Sequence, residues 1–134
     1  MATRHTAREW AIQVLFQLDF NPEPPEQALA GFWRERKADE RSRRFMEELV
    51  LGVREHIGRL DEVIRRHAAN WDLNRISAVD RNVLRLGLYE INYRPDVPPV
   101  VAINEAVDIA KRFGGDDSGK FVNGILDKAW HAAR

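Results

Sequence analysis

The chain has no cysteine, which excludes a disulfide framework, a thiolate metal site and a cysteine nucleophile. Long apolar runs are also missing. The longest, 97–103, is interrupted by two prolines and falls well short of the roughly 20 residues a membrane span needs. The first residues, through His5, carry no apolar stretch of the kind a signal peptide requires. Together these absences point to a cytoplasmic protein. There is no excess of either charge: 21 Lys and Arg balance 21 Asp and Glu, so the chain is not a polycation that coats nucleic acid by counterion release alone. The apolar/polar alternation of β-strands is lacking too, as are internal repeats, low-complexity tracts and long linkers.

What is present is apolar material at helical spacing. Hydrophobic residues make up 44% of the 134 and charged ones 31%, enough for a core under a well-solvated surface. A first helix is expected from about Thr3 or Thr6 to Asp19, with a stripe of Ala7, Trp10, Ala11, Val14, Leu15 and Leu18. The Asn21–Pro25 segment stops it, because proline removes a backbone donor and disfavours helix in the residue before it. Pro25, at a first-turn position, opens a second helix to about Arg36. Met46, Val50, Val53, Ile57, Leu60, Ile64 and His67 then repeat at alternating spacings of four and three. That seam belongs to one long helix, or to two meeting near Gly52 or Gly58, packed at a shallow angle.

Ser77 and Asp80 have the spacing of a capping box, with Ser77 receiving a helical N–H and Asp80 reaching back. The helix they open carries Val83, Leu84, Leu88 and Ile91. Pro98 and Pro99 start another, with Ala102, Ala106, Ile109, Ala110 and Phe113 inward, and Gly114-Gly115 ends it in a left-handed turn. Asp117 or Ser118 caps a last helix built on Val122, Ile125, Leu126 and Ala129. The fold class is therefore all-α, a compact bundle of about seven helices. The whole of 1–134 forms a single domain with an N-terminal helical half, about 1–75, and a C-terminal half, about 76–134.

Sites of chemistry are scarce. Gly114 to Lys120 fits the first seven positions of a phosphate-binding P-loop, but Phe121 stands where a hydroxyl should bind Mg²⁺, a helix precedes it where a strand is needed, and Asp116 and Asp117 would repel polyphosphate. No His has an acid three residues before it, so the inward pair of bundle di-metal proteins is missing. His67 closes an apolar seam and reads as a core or edge histidine. Glu105 and Asp108 read as a solvated face, and no serine elbow exists. The expectation is a protein that is not an enzyme, with no cofactor and no metal. Two basic clusters stand out: Arg4, His5 and Arg8 against Glu9, and the 34–44 run, whose six cations meet three acids. Either is a solvated helix face or a surface that meets phosphate.

Several phrases carry more than helical pattern. Val83-Leu-Arg-Leu-Gly-Leu-Tyr-Glu90, Asp96-Val-Pro-Pro, Ala102-Ile-Asn-Glu-Ala-Val-Asp-Ile-Ala-Lys111 and Lys120-Phe-Val-Asn-Gly-Ile-Leu-Asp127 resemble the NusB family of transcription antitermination factors. Ala7, Arg8, Glu9, Ala11, Val14, Leu15 and Phe16 are similar to that family's first helix. The resemblance spans nearly the whole chain and is weakest from about 20 to 75.

It implies two packed helical halves that bind the boxA element of nascent ribosomal RNA, usually with the ribosomal protein NusE, and that join an elongating RNA polymerase complex with other Nus factors. By the same resemblance the RNA surface is Arg4, His5, Arg8, Phe16, Asp117, Lys120 and Phe121, and Asp80 lies on the NusE face. Unpaired bases stack on aromatic rings and offer hydrogen-bonding edges. Phe16 and Phe121 lie beside, not within, their apolar stripes, so each is either a stacking ring or a core edge. Arg4, Arg8 and Lys120 would meet phosphate. Asp117 would accept from a base amino group, cap the helix, or do both.

Two departures from the family are visible, a thinner N-terminal arginine cluster and Gly119 where relatives often carry a larger polar side chain. Other readings stay open. One is a protein–protein interaction bundle without RNA binding. Another is a targeting module like that fused to ribosomal RNA cytosine methyltransferases, whose glycine-rich cofactor half is absent here. A homodimer is possible.

Overall fold

The computed structural model describes residues 3–68 and 72–133. Among the described residues seven α-helices follow one another: α1 Arg4–Phe20, α2 Pro25–Arg34, α3 Glu40–Glu55, α4 Ile57–His67, α5 Ala78–Tyr93, α6 Pro99–Gly114 and α7 Asp116–Ala132, with a 3₁₀ turn at Leu73–Arg75. No strand occurs among the described residues. The chain divides into two compact units, Met1–Glu55 and His56–Arg134. The division falls earlier than the 75/76 expected from sequence because α4 packs against α5 and α7.

The first unit is built on α1 against α3, with α2 laid across both. Ala7, Ala11, Val14, Leu15 and Leu18 supply one side, and Phe45, Met46, Leu49, Val50 and Val53 the other, all buried. Each helix start has a visible cause. The Thr3 hydroxyl accepts from the Thr6 N–H at 3.1 Å, and Pro25 occupies the first position of α2. Asp39 Oδ2 accepts from the Ser42 N–H at 3.2 Å, satisfying one of the donors that a helix N-terminus leaves open. Hydrogen bonds from the backbone and hydroxyl of Ser42 hold the Asp39 carboxyl below its ordinary pKa.

In the second unit α5 is the central helix, buried continuously from Asn82 to Leu88 and again at Glu90. Its one buried cation is held in a network. Arg85 Nε donates to Asp61 Oδ1 at 2.7 Å and its Nη2 to Asp61 Oδ2 at 3.0 Å. Arg85 Nη1 also reaches Asn82 Oδ1 at 3.1 Å, and Asn82 Nδ2 donates to the Ala78 carbonyl at 2.8 Å. Gly87 lets α6 and α7 approach: a Cβ there would stand 2.8 Å from Leu126 Cδ1 and 3.4 Å from Ala106 Cβ. The turn from α6 to α7 is made by Gly115 at φ +87°, a backbone state that L side chains rarely adopt.

The 46–67 seam belongs to two helices, one of the two alternatives expected, and they meet at His56, near Gly58; Gly52 is buried inside α3. His56 is stacked on Tyr93 at 4.0 Å between ring centroids. Three other local expectations are corrected. The second helix ends at Arg34, two residues short of Arg36. Phe113 is 47% exposed, not inward. Neither Asp117 nor Ser118 caps the last helix: α7 starts at Asp116 with Gly115 before it, leaving both side chains in the first turn.

Candidate nucleic-acid interface

In the first unit, α1 presents its basic start and its aromatic outer face. Arg4 is exposed, with its guanidinium carbon 4.3 Å from the centre of the Phe45 ring. Arg8 meets the same ring at 5.3 Å but is itself 3% exposed. The expected surface cation at 8 is thus a buried one, with its guanidinium over an aromatic face. His5 is half-buried, with Nε2 3.9 Å from Glu9 Oε1. Phe16 is 37% exposed and so is not a core ring. Phe20, one turn later, is 62% exposed and its ring centroid lies 4.9 Å from that of Phe16. The first helix expected from sequence stops at Asp19, so Phe20 falls just outside it. Its spacing of four from Phe16 was the signal, since such residues share a helix face.

In the second unit the ends of α5 and α7 enclose a pocket of about 260 Å³ lined by Arg75, Ile76, Ser77, Asp80, Asp117, Ser118 and Phe121. Three residues that the resemblance gave to two different surfaces, Asp80 on one and Asp117 and Phe121 on the other, therefore line one hollow. Ser77 caps α5, its Oγ accepting from the Asp80 N–H at 3.2 Å. The Asp80 carboxylate does not reach back as expected but accepts from the Ser118 hydroxyl at 3.1 Å. Gly114 leaves the space for this bond, because a side chain there would collide with Ser118. Asp80 Oδ1 is buried and has no hydrogen-bond partner. Burial raises the Asp80 pKa above the ordinary carboxylate value, against the lowering effect of the Ser118 and Ser77 hydroxyls.

Asp117 and Lys120 are exposed and Phe121 half-buried. At Gly119 the aliphatic chain of Lys111 lies over the missing Cβ. Gly119 is buried, so this edge is filled from α6. Gly114 to Lys120 runs from the end of α6 into the first turn of α7, with a helix where a P-loop needs a strand.

A family model described as "NusB family" matches residues 5–130. The chain belongs to the NusB family. A transcription antitermination protein NusB of Sorangium cellulosum is 46% identical over 96% of this chain and 91% of its own length. Among solved structures, T. maritima NusB superposes with a TM-score of 0.89 at 39% identity, covering 97% of this chain and 92% of that one. A chain from a crystal structure of the antitermination factors NusB and NusE in complex with double-stranded RNA matches with a TM-score of 0.88 at 29% identity, covering 96% of each.

The NusB likeness thus extends over both units. Among the described residues, no helix is long and apolar enough to cross a membrane.

Proposed function

We propose that this chain is an RNA-binding transcription antitermination factor. It binds boxA of nascent ribosomal RNA together with the ribosomal protein NusE and joins the elongating RNA polymerase with other Nus factors. The observation that carries this reading is the match, over nearly all of both chains, to a NusB crystallised with NusE and RNA. Arg4, His5 and Lys120 contact phosphate, which positions the strand and makes binding salt-sensitive. Phe16 and Phe121 stack bases, and Asp117 accepts from a base amino group. Arg8, buried against the Phe45 ring that Arg4 also meets, helps hold that ring in place. Asp80 stands at the N-terminus of the helix that carries the NusE face. The protein acts in the cytoplasm as an adaptor with no catalytic step of its own.

Reconstituted transcription through a terminator placed downstream of boxA tests the proposal. Adding this chain with NusE and the other Nus factors is expected to increase read-through on the boxA template and not on one with boxA scrambled. Equal read-through on both templates would refute the antitermination role.

A further inference from the structure

The outer face of α1 continues past Phe16 into a groove that none of the assigned residues uses. This groove, about 660 Å³, lies between α1 and α2 and is lined by Gln13, Gln17, Gln27, Arg34 and Arg36 among others. Gln13, Gln17 and Phe20 follow one another at spacings of four and three, so they share one stripe of α1. The exposed Phe16–Phe20 pair therefore borders the amide-lined wall. Neither Arg34 nor Arg36 is held by a hydrogen bond or ion pair among the described residues. Arg36 rests with its guanidinium carbon 4.9 Å from the centre of the Phe32 ring, and both arginines are exposed.

We infer that single-stranded RNA flanking boxA runs over this face, with a base stacked on Phe20 and the next nucleotides in the α1–α2 groove. The inference rests on the RNA-binding reading above and extends its footprint. The chemistry selects the ligand. Exposed rings offer base stacking, and glutamine amides present a donor and an acceptor each to base edges. Two exposed guanidinium groups, Arg34 and Arg36, suit phosphates. Glu23 and Glu35 also line the groove, so it is not a strongly positive channel. Stacking and amide contacts, not charge alone, must hold the strand there. A flat apolar protein surface would leave the three amides and two arginines without partners.

The test compares three labelled RNAs with the intact chain plus NusE: boxA alone, boxA extended by a few nucleotides on each side, and the same extension made abasic. The extended RNA is expected to bind about tenfold tighter than boxA alone, in line with the stacking of one or two bases. The abasic version should lose most of that gain. Phe20→Ala, and Ala30→Trp, which adds bulk at an exposed residue lining the groove, should each abolish the gain, and Ala30→Trp should leave affinity for boxA alone unchanged. If the extension gives no gain, or a gain that survives both substitutions, the groove is not an RNA path although boxA binding stands. If boxA itself does not bind, the RNA-binding reading fails and this inference with it.

Discussion

Asp80 has one oxygen satisfied by Ser118 and one buried without a partner, an arrangement that favours the protonated acid. Its pKa is raised chiefly by burial. Between the ordinary carboxylate value and the raised one, the folded chain keeps a proton that the unfolded chain has released. Stability therefore falls as pH rises through that window, and at neutral pH the folded state bears the cost of the buried charge. Asp80→Asn keeps an acceptor for Ser118 and removes the charge. It is expected to raise the melting temperature at pH 7, with the advantage shrinking as pH drops below the window. An unchanged or lower melting temperature at pH 7 would contradict this.

At the same scale, Phe16 was legible as a surface ring only in being off the α1 stripe. The sequence could not say that Phe20 would pair with it. Nor could it separate Arg4 from Arg8: both are arginines on one helix and both meet the Phe45 ring of α3, yet Arg4 is exposed and Arg8 buried.

At the scale of elements, α5 is tied to α4 by a buried polar network. Removing one member of a buried ion pair leaves the other charge uncompensated, at about 3–5 kcal/mol. Asp61→Ala, which strands Arg85, is expected to cost about 3 kcal/mol in urea unfolding. A loss under about 1 kcal/mol would mean that water reaches the Arg85 guanidinium. Gly87→Ala would press its methyl group into Leu126, which is fully buried. The expected cost is about 1–3 kcal/mol, typical of an overfilled core, and a neutral result would show that Leu126 has a second rotamer to move into.

Most helices were legible because the apolar period of 3.6 repeats cleanly and prolines mark the starts of α2 and α6. The α3–α4 break was legible only as one of two alternatives, near Gly52 or Gly58. The seam keeps its alternation of four and three across His56, and the glycines nearby were the more familiar breakers. Phe113 misled for a related reason: it continues the inward spacing of α6, but Gly114 and Gly115 end the helix there and leave the ring in solvent. Ser118 looks like a cap in sequence, yet its hydroxyl is committed to Asp80, a residue 38 positions away.

For the whole molecule, the NusB likeness spans both compact units, and each unit carries residues proposed to bind RNA. Arg4, His5 and Phe16 come from the first unit, and Asp117, Lys120 and Phe121 from the second. Sequence phrases were enough to identify the family, because long stretches of α5, α6 and α7 carry its wording. They did not show that Asp80 shares a hollow with Asp117 and Phe121, since that proximity depends on how α5 and α7 pack.

Selective RNA binding is the property on which the proposed function depends. The most direct measurement is the affinity of a labelled boxA RNA and of a scrambled RNA of equal length, for this chain alone and with NusE. Tighter binding to boxA, strengthened by NusE and weakened steeply by salt, is the expected result. Equal affinity for the two RNAs, with and without NusE, would contradict it and leave a helical protein-interaction module.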